Sequence, residues 1–170
     1  MIDVRYSGRD EEGNTLIELL VVLLIVGVIL AIAVPDLLEA QARAKSRAAS
    51  SNLRAALSAA RTVYVDNSTY AAPTVDASAL RSFEPSLRWA ATSSGPDTVG
   101  FVASSPSEFL MTVKSKNGDC FFLKDDVSTA AASAGPWYGR TNGVAGACVP
   151  AAALTDPTNP YARHSSTGWK

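Results

Sequence analysis

The side chain least at home in its surroundings is Glu18. It is the one charged residue between Leu16 and Val34, a run otherwise no more polar than Gly27. A carboxylate in such a segment costs at least about 2.5–3.5 kcal/mol at the centre of a membrane, and less near its edge. That cost predicts a partner for Glu18. The other residues that could carry chemistry are sparser. The single histidine, His164, lies in a poorly patterned tail and reads as a surface residue rather than a base. Asp119, Asp125 and Asp126 could offer oxygens to calcium, but they flank or end a strand and read more simply as solvated turn acids. No Gly-rich phosphate loop, Cys-x-x-Cys pair or zinc-spaced set occurs. The residues therefore predict no enzyme, no cofactor and no metal centre. Cys120 and Cys148 remain. If their part of the chain leaves the cytoplasm, pairing is the natural reading, with two buried thiols as the alternative. A bridge would close a loop of about 29 residues and stabilise the fold by roughly 3–4 kcal/mol in the chain-entropy picture.

Glu18 is positioned by a run of about 19 apolar residues, Leu16 to Val34, which at helical rise spans a bilayer's hydrocarbon core. Before it stands the short polar leader MIDVRYSGRDEEG. A secretory signal has its small-residue cleavage site after the apolar stretch. Here the candidate site, Gly13, precedes it, so a cut there leaves the hydrophobic segment in the mature protein. Past Pro35, Leu53, Ala56, Leu57, Ala60, Val63 and Tyr64 fall on one face of a helix. Pro35 predicts a kink or local melting rather than an end, and Asp66-Asn67-Ser68 supplies the stop. Arg47, Arg54 and Arg61 recur every seventh residue beside the apolar face, as a solvated flank or as contacts to acids of a neighbouring subunit.

Residues 66 to about 97 read as a connecting region with one short helix near Ala77–Phe83. Asn67-Ser68-Thr69 there matches the glycosylation tripeptide, which arises easily by chance. TVGFVA, EFLMTVKSK and DCFFLKDD are β-rich, and Asn117-Gly118 between the last two is a hairpin signal. A two-residue turn would set Lys116 opposite Asp119 and Val113 opposite Phe122. GPWYGRTNGVAGACVP reads as a loop or one edge strand, and the tail after it is expected to be ordered only if docked. At 170 residues the chain fits one domain plus an anchor, and its net charge of −1 argues against a nucleic-acid surface built on bulk charge.

Gly13 followed by Asn14-Thr15-Leu16-Ile17-Glu18-Leu19-Leu20, then an apolar run closed by Pro35, resembles the N-terminal signature of type IV pilins and type II secretion pseudopilins. The close resemblance covers about residues 9–35. It departs at Asn14, where the family usually has phenylalanine. The resemblance implies cleavage by a prepilin peptidase between Gly13 and Asn14, N-methylation of Asn14, and packing of the mature helix in a filament core. It also implies that Cys120 and Cys148 close an exposed C-terminal loop. Glu18 and the new α-amino group of Asn14 would then form an assembly salt bridge.

The expected architecture is α+β, a long N-terminal helix packed on a small antiparallel β-sheet. Its parts are a leader 1–13, a helix 14–65 with its transmembrane segment at 16–34, and a sheet domain 66–170 with a disulfide-closed loop. The expected function is a pilin that polymerises into a type IV pilus for adhesion, motility or DNA uptake. Its partners would be copies of itself, a platform protein and an assembly ATPase, with the cytoplasmic membrane as host before assembly and an extracellular filament afterwards. A secretion or competence pseudopilin and a monomeric single-pass binding protein are the alternatives. One feature conflicts with this topology. Arg43, Lys45 and Arg47 follow the apolar run, and the positive-inside rule alone would hold them in the cytoplasm.

Overall fold

The computed structural model describes residues 11–71, 73–128 and 134–150, with side chains from residue 15 onward. The chain divides into two compact units, Met1–Gln41 and Ala42–Lys170. Helix α1 (Glu11–Asn67) contributes to both. It begins upstream of the expected start, so Gly13 and Asn14 lie within its first turns. In the first unit every large apolar side chain from Leu16 to Leu38 is exposed. The helix is long and apolar enough to cross a membrane. It continues through Pro35, although proline offers no N–H to the Ala31 carbonyl one turn back.

The second unit has its own core. Ala49, Leu53, Ala56, Leu57, Ala60 and Val63 of α1 are buried against Val99, Phe109, Met111, Val113, Phe121 and Leu123 of the sheet. The apolar face read from helical spacing is therefore the packed one. Small alanines alternate with leucines along it, which lets the helix lie close to the sheet. Tyr64, Tyr70, Phe109, Phe101 and Trp89 form a chain of ring contacts with centroid separations of 4.7, 5.1, 5.8 and 5.9 Å. α1 stops at the predicted place. Ser68 takes a left-handed φ of 57°, and its N–H donates to the Tyr64 carbonyl at 2.6 Å. The Asn67 side chain donates to the Val63 carbonyl at 2.9 Å. Helix α2 (Ala77–Phe83) is capped by Asp76, whose carboxylate accepts from the Ala79 N–H at 2.7 Å. That bond and the Ser78 hydroxyl hold the Asp76 carboxyl below its ordinary range.

Five strands follow in spatial as well as chain order: β1 (Arg88–Ala90), β2 (Thr98–Ser105), β3 (Glu108–Lys114), β4 (Cys120–Asp126) and β5 (Gly135–Thr141). β2 to β5 are antiparallel neighbours, whereas β1 pairs with β2 in parallel, so the sheet is mixed. β5 is the edge strand anticipated in the glycine-rich segment.

The β3–β4 turn differs from expectation. Val113 stands opposite Phe121 and Lys114 opposite Cys120, one residue out of the register a two-residue turn would impose. A two-residue Asn-Gly turn of type I′ needs positive φ at both positions, and here only Gly118 has it, at 89°. The turn is instead closed by Gly118 N–H to Ser115 carbonyl at 3.1 Å and Ser115 N–H to Asp119 carbonyl at 2.8 Å. This is a three-residue loop with a glycine bulge, and it inverts which side chains face the helix. Phe109, Met111, Val113, Phe121 and Leu123 point to α1, while Cys120 and Phe122 form a second buried cluster with Cys148. Gly100 of β2 is required by space. A Cβ there would sit 2.9 Å from Ser93 N and from the Thr92 carbonyl carbon.

Candidate assembly segment and the clasps of the second unit

Glu18 projects from α1 among exposed apolar side chains and has no ionic partner among the described residues. Gly13 and Asn14 lie on the same helix, with the side chain of Asn14 outside the described residues. In the uncleaved chain the Asn14 nitrogen is a peptide nitrogen and carries no charge, so it offers Glu18 no counter-charge. His164, residues 1–10 and the tail from residue 151 also lie outside the described residues.

Cys120 and Cys148 are bridged, with their Cα atoms 5.8 Å apart. The bridge joins the start of β4 to a segment that is also held by backbone. Cys148 exchanges hydrogen bonds with Ser93, at 2.9 Å from Ser93 N–H and 2.8 Å from Cys148 N–H. The buried Ser93 hydroxyl donates to the Thr98 carbonyl at 2.5 Å and accepts from the Lys114 N–H at 2.8 Å. One serine thereby ties β2, β3 and the disulfide segment together. Val144 N–H donates to the Gly118 carbonyl at 2.9 Å, which places the same segment on the β3–β4 turn. Lys114 Nζ donates to the Gly146 carbonyl.

The three strand-flanking acids are buried rather than solvated, and each has its own partners. Asp125, at 0% exposure, accepts from Arg61 Nη2 at 2.6 Å, Arg61 Nε at 3.1 Å and the Tyr70 hydroxyl at 2.7 Å. Burial and the neighbouring Asp125 carboxylate push the Tyr70 phenol far above its ordinary value. The bond to Asp125 raises Arg61 as well. Asp119 accepts from Arg140 Nη2 at 2.9 Å, and the Arg140 guanidinium lies 5.5 Å from the Phe121 ring centroid. Asp126 accepts from the Ser128 N–H at 2.9 Å. Among the described residues no three His, Cys, Asp or Glu side chains gather closely enough to hold a metal ion. Arg61 belongs to the heptad series of arginines on α1. It turns onto a carboxylate of its own chain, where spacing alone suggested solvent or a neighbour. Asp125 lies 64 residues away in sequence, and no local pattern could have paired them.

Residues 8–34 match the family model described as the prokaryotic N-terminal methylation motif. The type IV major pilin protein PilA of Myxococcus xanthus is 38% identical over 66 residues, covering 39% of this chain and 30% of that protein. The chain thus spans under a third of that relative's length. No solved structure matches it.

Proposed function

We propose that this chain, which carries the methylation motif of prepilin-type proteins, is the precursor of a type IV pilus subunit. Glu18 carries the reading: one carboxylate in an exposed, membrane-length apolar helix, four residues after Asn14 and inside the matched motif. A prepilin peptidase would cut between Gly13 and Asn14, freeing an α-amino group at Asn14, the residue that would then be methylated. Within one helix that group is about 6 Å of rise from Glu18. Between staggered helices of neighbouring copies the two meet directly. In an apolar filament core the pair neutralises both charges, and a misregistered neighbour would leave them unmatched, at about 3–5 kcal/mol.

The apolar helix holds the subunit as a single-pass protein of the cytoplasmic membrane before assembly and lies in the core of the extracellular filament afterwards. The chain polymerises with copies of itself, driven by a platform protein and an assembly ATPase supplied elsewhere. Pro35 provides a place for the helix to bend during that transfer. The Cys120–Cys148 bridge favours the pilus over a secretion pseudopilus, for which a calcium-stabilised loop would be the expectation. Mass spectrometry of sheared surface filaments tests the proposal. The chain is expected as their bulk component, beginning at Asn14; filaments carrying intact Met1–Gly13, or lacking this chain, would overturn it.

A further inference from the structure

The cations after the apolar run, Arg43, Lys45 and Arg47, are all exposed, and the proposed function gives them no role. From Ala40 through Val65 the chain has five basic residues and no carboxylate; Asp36 and Glu39 lie just before. The fold of the second unit adds to this charge. A cleft at Ala42, the first residue of that unit, is lined by Arg43, Ser46 and Arg47 of α1, by Asn117 and Asp119 of the β3–β4 turn, and by Arg140 of β5. The turn is fixed there. Asn117 Nδ2 donates to the Ala42 carbonyl at 2.7 Å and to Ser46 Oγ at 3.3 Å. Asp119, the one carboxylate in the cleft, is buried and committed to Arg140, so three guanidiniums face it with one compensating charge. Lys116, exposed, adjoins Asn117.

We propose that this basic cleft binds the phosphate headgroups of anionic phospholipids while the subunit is held in the membrane. The inference rests on the membrane-anchored stage of the proposed function. Chain connectivity argues for lipid as the partner. Arg43 follows Val34, the end of the apolar run, by nine residues and the last large exposed apolar side chain before it, Leu38, by five, so the first residues of the cleft lie close in sequence to the membrane segment. Basic side chains beside a membrane segment are attracted to anionic lipid within a Debye length of the surface. Arg43 has an intramolecular interaction of its own; the summed charge of the cleft, rather than any unpaired guanidinium, provides the attraction. The excess of basic residues beyond the membrane segment then has a function in lipid contact instead of in topology.

The test uses the full chain reconstituted into phosphatidylcholine vesicles, with and without about one-third phosphatidylglycerol. Flotation reports anchoring, and amide hydrogen exchange at residues 42–47 and 115–119 reports headgroup contact. Both vesicles should float the protein. Exchange at both segments should slow in the anionic vesicles, on the order of fivefold per basic side chain engaged, and recover in high salt. The Arg43→Gln, Arg47→Gln, Lys116→Gln variant should still float and show no lipid dependence. Arg140 is left intact because it holds Asp119. Inorganic phosphate added to phosphatidylcholine vesicles should not reproduce the slowing. Equal exchange in both vesicles would overturn the lipid site while leaving anchoring in place, a result the wild type gives without any variant. Slowing that tracks protein density whatever the lipid would assign the cleft to a second copy and overturn the proposal. Absence of flotation from both vesicles would overturn membrane anchoring itself.

Discussion

Asp125 shows how one buried charge is tolerated in a small domain. It sits on the face of β4 that meets α1, where an unpaired carboxylate would be prohibitive. Three charge-assisted hydrogen bonds from Arg61 and Tyr70 satisfy it. Because those donors come from α1 and from the segment after it, the carboxylate fixes both on the sheet. Arg61→Met removes the compensating charge and is expected to cost about 3–5 kcal/mol in urea unfolding. Tyr70→Phe keeps the ring stack on Phe109 and should cost about 1.5–3 kcal/mol. The raised phenol adds a pH signature of definite sign. Below pH 10, the unperturbed value, native and unfolded Tyr70 are both protonated and the contribution is complete. Above it the unfolded state loses the proton while the native state keeps it, so stability falls by about 1.4 kcal/mol per pH unit. The gap between wild type and Tyr70→Phe should therefore narrow between pH 10 and 11. A gap that stays constant or widens would show that burial and Asp125 do not hold the phenol neutral. None of this was legible in the sequence. Spacing placed Arg61 on a helix flank, and Asp125 at a strand end looked like a turn acid, because ion pairs between distant segments leave no local pattern.

At the level of elements, local signals worked where local energetics decide the outcome. The helix face of Leu53, Ala56, Leu57, Ala60 and Val63, the stop at Ser68, and α2 at Ala77–Phe83 all follow from periodicity and turn chemistry. Two features failed for a common reason, that partners elsewhere in the fold set them. β1 has only three residues; Trp89 packs on Phe101 and its backbone pairs with β2. The register of β3 on β4 departs from the two-residue expectation, and no alternation in the sequence could correct it because the two faces of β3 are both buried. On the second face of the sheet Phe122 of β4 packs with the disulfide and Val144. Replacing both Cys120 and Cys148 by alanine should therefore cost more than loop entropy, since it also loosens the cover of Phe122. A loss of at least about 3–4 kcal/mol is expected, with faster amide exchange at Ser93 and Cys148→Ala, whose backbones pair across that segment. A loss under about 1 kcal/mol would mean that the backbone pairing alone secures the segment.

For the whole molecule, the two units bury apolar surface in different ways. The second unit closes its own core, whereas the first leaves every large apolar side chain from Leu16 to Leu38 exposed. A helix apolar all round belongs in a membrane or buried against other protein. The apolar run and the motif around Gly13 were legible because both are contiguous in sequence. Whether Glu18 serves assembly or stability is settled by Glu18→Ala, which tests the two apart. No residue of the second unit is paired with Glu18 among the described residues, so the variant's core and disulfide should be intact. Membrane insertion should persist, and become easier, because a charge has been deleted. On the proposed function, the variant would lack the counter-charge for the Asn14 α-amino group of a neighbouring subunit, which would enter the filament core unpaired. The expected result is a normal membrane pool of processed, disulfide-bonded subunit with few or no filaments, measured at wild-type expression by immunoblot beside sheared filament yield. Normal filaments would reduce Glu18 to an interfacial carboxylate. Loss of the membrane pool would assign it to the stability of the subunit before any polymer forms.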